Sequence, residues 1–361
     1  MSESSPQFDP LKIAFAYGGP ACRGSLREHP DDFEVEEIFE VEFSEDGEFD
    51  WLWVEKRGEN TAFVAKQLAR LAGVTERAVT YSGLKDRQAL TRQWFCVHKP
   101  GKQGRDWQDC FSWQISTGQL EEEFAGWRVL RAGRHRQKLR IGSHRGNRFH
   151  LKLGNVQGNQ SRLIEQLELI KQGFPNYFGE QRFGRNAGNL YGALAWAQGK
   201  SPAGRQQRSL FLSSARSYLF NQVLSARIAK GSWNQGLSGE LFCLRDSGSV
   251  FSAELDAEIA QRLQSGDIHA SGPLFGKPGK LQVADEVDAL EQDVFSHYPE
   301  FCELLIANGL KAERRSLRVI PKALDGALNG DQLSLSFSLP RGCFATALVR
   351  ELVDYHPAPV V

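Results

Sequence analysis

Asp86 is the one acid in a run of bases. From Lys85 to Arg105 the chain carries Lys85, Arg87, Arg92, Lys99, Lys102 and Arg105, and no second Asp or Glu. Such a setting favours the charged form of a carboxylate, and an ionised carboxylate can serve as a covalent nucleophile. The same residue also fits a plainer role, as a loop aspartate that caps Gln88–Leu90 or pairs with a neighbour. A glycosidase or nucleosidase acting on small nucleosides would need two well-placed carboxylates, and this stretch offers one.

Charge is unevenly spread along the chain. The 361 residues carry 44 Lys and Arg against 44 Asp and Glu, a net of zero. Yet Phe124–Ile164 contains no acid and holds Arg128, Arg131, Arg134, Arg136, Lys138, Arg140, Arg145, Arg148, Lys152 and Arg162. The compensating acid lies chiefly between Glu28 and Glu59 and between Asp285 and Glu313. Segregation of this kind predicts a basic face for a phosphate-bearing partner, against the usual reading of a basic run as a solvated surface.

The elements that must position Asp86 follow from periodicity. Phe39, Val41 and Phe43 alternate at period two, and Trp51–Arg57, Gln93–Lys99 and the run from Arg148 read as strands. Asn60 should cap a helix that carries Phe63, Val64, Leu68 and Leu71 and ends at Gly73. Asp86 then falls in the turn-rich segment opened by Ser82 and Gly83. From about Ser161 the texture is helical, with apolar faces through Leu163–Ile170, Phe220–Ile228 and Leu255–Leu263 ending at Gly173, Gly231 and Gly266. Leu274–Lys280 reads as a loop. In the last part Leu333, Leu335, Phe337 and Leu339 alternate with serines as a strand, Pro340-Arg341-Gly342 breaks it, and Phe344–Asp354 reads as a helix.

Length favours two domains. Strands, then helices, then strands predict an α+β chain in which a sheet domain is interrupted by a helix-rich insertion. No apolar run approaches the ~18 residues of a membrane span, and the start MSESSPQFDP has neither a basic segment nor an apolar one, so no secretory leader is expected. The six cysteines lack C-x-x-C spacing, and neither a metal centre nor a disulfide framework is expected.

Ser82-Gly83-Leu84-Lys85-Asp86-Arg87 resembles the catalytic loop of the tRNA pseudouridine synthase D (TruD) family. PNYFGEQRFG (Pro175–Gly184) is similar to that family's most distinctive block, and RGNRF (Arg145–Phe149), PRGCFATALVREL (Pro340–Leu352) and DDFEVEEI (Asp31–Ile38) resemble three more. The five blocks stand in family order across nearly the whole chain.

The resemblance implies a pseudouridine-synthase-like mixed and antiparallel sheet domain over 1–160 and 316–361, interrupted by an inserted TRUD domain over 161–315. It implies isomerisation of a uridine of tRNA to pseudouridine, at position 13 in the D-arm, by a cytoplasmic monomer that needs no cofactor. Asp86 falls on the family's nucleophile, Asn147 and Phe149 on positions that hold and stack the target base, and Phe33 and Phe344 on aromatic positions of the same pocket. Lys85 and Arg182 are further candidate RNA contacts. Arg27 stands where the family commonly has Lys, and Asp31 where Glu is frequent. If that Lys pairs with the nucleophile, Arg27 replaces it with different geometry. For the block around Arg182 two readings stay open, contact with RNA and fixing of the domain junction. An RNA-binding or RNA-folding protein that keeps the fold without catalysis is the second functional reading.

Overall fold

The protein, seen in a computed structural model, is described here over residues 8–101, 104–108, 110–115, 124–245 and 247–357. In chain order its strands are β1 (Cys22–Leu26), β2 (Phe33–Ile38), β3 (Phe49–Arg57), β4 (Val79–Tyr81), β5 (Leu90–His98), β6 (Phe111–Ile115), β7 (Phe124–His135), β8 (Gly146–Gly158), β9 (Phe174–Pro175), β10 (Leu241–Leu244), β11 (Val250–Ser252), β12 (Ile268–Leu274), β13 (Glu313–Ser316), β14 (Arg318–Val319), β15 (Lys322–Asn329), β16 (Gln332–Pro340) and β17 (Val353–Pro357). The helices are α1 (Thr61–Ala72), α2 (Gln160–Lys171), α3 (Gly188–Ala197), α4 (Arg205–Ala229), α5 (Ala257–Ser265), α6 (Asp285–Ser296), α7 (Pro299–Ala307) and α8 (Ala345–Leu352). The chain forms two compact units, one of residues 21–167, 321–342 and 353–357, the other of 8–20, 168–320 and 343–352.

The first unit is built on an 11-stranded sheet whose main path runs β15-β16-β8-β2-β5-β3-β7-β6, with β1, β17 and β4 beside it. Its centre follows from period-two patterning. On β8, Asn147, Phe149, Leu151 and Leu153 are buried while Arg148, His150 and Lys152 are exposed. On β16 the same alternation buries Leu333, Leu335, Phe337 and Leu339. Antiparallel register sets Phe149 opposite Phe337 on one side and opposite Val35 of β2 on the other. The Phe149 and Phe337 rings stack at 5.3 Å and 24°, and Phe33 meets Phe149 edge-on at 6.3 Å.

Helix α1 starts where Asn60 accepts from the Phe63 amide at 2.7 Å and ends at Gly73, whose φ of 67° is a left-handed cap. Its buried stripe is Thr61, Val64, Ala65, Leu68, Ala69 and Ala72, which packs over β3 and β5 against Leu52, Val54, Phe95 and Val97. Phe63, expected on that stripe, is 39% exposed: small alanines let the helix lie close to the sheet and turn the bulky ring outward. Phe39, Val41 and Phe43 belong to no strand. They pack on Trp51, Trp94 and Leu139, so their alternation reflects a half-buried extended segment that lacks a ladder partner.

The second unit sets helices with a four-stranded sheet, β11-β10-β12-β13, and a short β14-β9 pair. Phe220 and Leu224 of α4 are fully buried and Ile228 nearly so. Leu255, expected inside a helix, precedes it: Asp256 caps α5 by accepting from the Ile259 amide at 2.8 Å. The segment 343–352 belongs with this unit rather than with the final strands. Glu351 there accepts from the Ala16 amide at 2.9 Å, and Arg350 donates to the Ile13 carbonyl at 2.9 Å. Among the described residues no helix is long and apolar enough to cross a membrane.

Because Phe337 is buried and backs Phe149, Phe337→Ala should cost about 3–5 kcal/mol of stability, read by urea denaturation of the first unit's aromatic signal.

Candidate active site

The segment from Ser82 to Ala89, between β4 and β5, has no ladder of its own, so its backbone groups need other partners. They find them in buried side chains and neighbouring loops. The Gly142 amide donates to the Ser82 carbonyl at 2.6 Å, and Gln93 Nε2 to the Gly83 carbonyl at 2.9 Å. Thr61 Oγ1 accepts from the Lys85 amide at 3.0 Å and lies 3.0 Å from Gln93 Oε1. Lys56 Nζ donates to the carbonyls of Asp86 and Glu59, at 2.7 and 2.8 Å. Gly83 is confined, since a Cβ there would meet His144 Cε1 at 3.3 Å.

The loop presents the Asp86 carboxylate to Arg27. Arg27 Nη2 donates to Asp86 Oδ2 at 2.9 Å, and the same guanidinium lies over the Phe33 ring, 3.9 Å from its centroid. Arg27 has φ of 66°, a left-handed conformation that costs a non-glycine residue about 1 kcal/mol. The pair is only partly exposed, 15% for Arg27 and 31% for Asp86. Next to it Arg57 grips Asp31 through two bonds of 2.9 Å.

Behind the loop lies a buried ion pair. Lys85 Nζ meets Glu37 Oε1 at 2.8 Å, Ser82 Oγ donates to the same oxygen at 2.5 Å, and the Trp94 amide donates to Oε2 at 3.1 Å. Lys85, expected to face substrate, is thus turned inward. Asn147 sits opposite Glu37 across the β2–β8 ladder, and its Oδ1 is buried without a hydrogen-bond partner. Burial lowers the pKa of His144, as does the positive charge of Lys85. Burial also pushes Lys56 down to about 8, despite the opposing pull of Asp86.

The structure therefore gathers Asp86, Arg27, Phe33, Lys85, Asn147 and Phe149 in the first unit. Phe344 and Arg182 belong to the second and form a group of their own. Arg182 lies over the rings of Phe178, 5.4 Å away, and Phe344, 5.9 Å away, and donates to Ser213 Oγ at 3.0 Å. Asn221 pins Phe178 reciprocally, accepting from its amide at 2.9 Å and donating to its carbonyl at 3.0 Å. Gly179 is required beneath Phe344 and Thr346, where a Cβ would stand 2.8 Å from Thr346 Oγ1. This accounts for much of the PNYFGEQRFG block: it builds the seat of Phe344.

Lys56, Glu37, Thr61, Gln93 and His144 were not anticipated. Glu37 left a trace in the sequence, as the carboxylate on the inward phase of Phe33, Val35 and Glu37. The basic stretch, in turn, is less free than its sequence implied. Because β3 pairs with β7, Asp50 receives Arg134 at 2.6 Å and Glu55 receives Arg128 at 2.6 Å, while Arg136 pairs with Asp46 at 2.7 Å.

A mixed sheet that carries an aspartate–arginine pair against an aromatic wall, with a helix-rich second unit, makes this a protein of the α+β class. The putative tRNA pseudouridine synthase D of Methanosarcina mazei has the same fold, with a TM-score of 0.66 at 22% identity over 94% of this chain and 95% of that one. The family model described as tRNA pseudouridine synthase D (TruD) matches residues 13–193 and 196–352. Proteins named tRNA pseudouridine synthase D from Pseudomonas entomophila (strain L48) and Hydrogenovibrio crunogenus (strain DSM 25203 / XCL-2) are 46% and 42% identical to it. They align over 94% and 95% of this chain and 96% of each relative. The chain belongs to the tRNA pseudouridine synthase D family.

Two outcomes follow from the buried charges. Glu37→Leu strands the Lys85 ammonium and should cost about 3–5 kcal/mol, measured by urea unfolding at neutral pH. The Lys56 pKa is lower folded than unfolded, so the unfolded chain binds more protons between about 8 and the ordinary lysine value. Wild type should therefore gain stability relative to Lys56→Met as pH rises through that window, in paired melts at pH 7.5 and 9.5.

Proposed function

We propose that this isomerase converts a uridine of tRNA to pseudouridine, at position 13 in the D-arm, with Asp86 as its nucleophile. The observation that carries the reading is the Asp86 carboxylate fixed by Arg27, whose guanidinium also covers Phe33. A flat uracil needs a wall to stack on and a few hydrogen bonds. Phe33 and Phe149 are buried on adjoining strands and form the aromatic backing of this wall, with the flat Arg27 guanidinium over Phe33. Asn147 Oδ1 is an unused acceptor of the kind a uracil N3–H requires.

The reaction breaks N1–C1′, turns the uracil, forms C5–C1′ and releases the C5 proton. Asp86 acts in the first stage, and three routes remain compatible with its placement: attack at C1′, attack at C6, or removal of the C2′ proton. Arg27 stabilises the carboxylate and sets its direction. Lys56 holds the main chain of the same residue. Phe149 carries no group that can accept a proton, so in this reading the last proton goes to Asp86 or to a water. Phe344 and Arg182, in the second unit, are further RNA contacts in this reading. The uridine must leave its stack at a cost of a few kcal/mol, which contacts of exposed arginines with phosphates offset.

The test is tritium release from C5-tritiated uridine in tRNA transcripts. Wild type should release tritium, and Asp86→Asn should be slower by about 10⁴-fold or more with tRNA binding kept. If both proteins bind tRNA and neither releases tritium across several tRNA species, the chain is an RNA-binding protein of this fold without catalysis.

A further inference from the structure

We propose that Leu84, seconded by Ile141, is the apolar wedge that occupies the base stack when the target uridine is drawn out of it, an inference that rests on the reaction proposed above. Leu84 is 74% exposed and Ile141 83%, the two highest values among the large exposed hydrophobic side chains of the described residues. Neither position is accidental. Leu84 stands two residues before Asp86, and Ile141 precedes Gly142, whose amide donates to the Ser82 carbonyl at 2.6 Å. The two most exposed aliphatic side chains thus project from two loops tied together beside the nucleophile.

Both loops are held firmly. The Gly83 carbonyl is bound by Gln93, the Lys85 amide by Thr61 and the Asp86 carbonyl by Lys56, which leaves Leu84 little freedom to fold back. Arg341 donates to the Gly142 carbonyl and fixes the second loop. A single exposed leucine needs no explanation, but here the two most exposed aliphatic side chains stand on loops hydrogen-bonded to each other and to the Asp86 segment.

Charge chooses the cover. Arg87, Arg140, Arg145 and Arg341 are exposed on or against the same loops. Apolar side chains on loops that also expose arginines suit a base stack edged with phosphates, and aliphatic side chains are among those that proteins insert between base steps. Extruding a uridine leaves a gap in the stack, and a side chain two residues from the nucleophile stands where that gap opens.

Two substrates carry the test: a folded C5-tritiated tRNA transcript and a short unstructured oligonucleotide with the same uridine. Leu84→Ala should lower the ratio of kcat on folded to unstructured RNA by about tenfold, with Leu84→Met restoring most of it. A 2-aminopurine placed beside the target uridine should brighten on binding wild type and much less on binding Leu84→Ala. Unchanged ratios and brightening for Leu84→Ala and Leu84→Asp would overturn the wedge, as would equal losses on both RNAs. Equally, a wild-type dimer that Leu84→Asp dissociates would assign the patch to a second copy of the chain. Leu84-dependent brightening without tritium release from either RNA would keep the wedge and end the isomerase reading. Absence of both signals in wild type would end both.

Discussion

The arrangement depends on one constraint: an aspartate must be held rigidly at the end of a sheet on a segment with no hydrogen-bond ladder of its own. A backbone outside helices and sheets keeps its polar groups, and near a core each needs a partner. Here the partners come from the elements on either side. Lys56 from β3, Thr61 from the first turn of α1 and Gln93 from β5 each take one group of the loop. The loop backbone is therefore tied to the elements that flank it, and they set where the carboxylate stands. The buried Glu37–Lys85 pair works in the same way from behind. Removed from water, it contributes little net stability, but it specifies where the chain around Asp86 must run.

Much of this was legible in the sequence, and the limits have physical causes. The strand of alternating Leu and Ser, the Asn60 cap and the Gly73 stop each rest on local rules, and each lies where those rules put it. Asp86 was legible through the bases around it and through the five blocks. Of the partners that fix it, Arg27 was legible too, whereas Lys56, Gln93 and Thr61 were not, because they are single polar residues inside two strands and at the start of a helix that read as apolar. Lys56 lies within β3, where the local pattern suggests burial of bulk rather than of charge. Its role appears only when β3 and the Asp86 loop are brought together. Phe39–Phe43 and Phe63 show the opposite failure: local alternation or helical spacing without a tertiary partner at the expected face.

The basic stretch makes the same point for electrostatics. A window free of acid suggests a bare positive surface, but strand pairing decides what lies beside each arginine. The acids of β3 and its approaches come next to β7, and Asp46, Asp50 and Glu55 draw in Arg136, Arg134 and Arg128. These pairs are structural, and those at the sheet surface are worth little individually. The cations left for a polyanion are those beyond the β3–β7 ladder, such as Arg140 and Arg145. A sequence count of arginines overstates the number available for phosphate, and the excess is the part spent on closing the sheet.

Arg27 shows why residue type matters more than charge at such a site. A guanidinium has an edge of donors and a flat face, and the structure uses both at once, the edge toward Asp86 and the face over Phe33. An ammonium could supply the charge but not the plane. The left-handed backbone at Arg27 serves the same end, because it turns the side chain toward the loop from the end of β1. With arginine at this position, the partner of the carboxylate and part of the aromatic wall become one rigid unit. Orientation of the carboxylate and the shape of the surface beside it are then coupled, and a change in either must be felt by both.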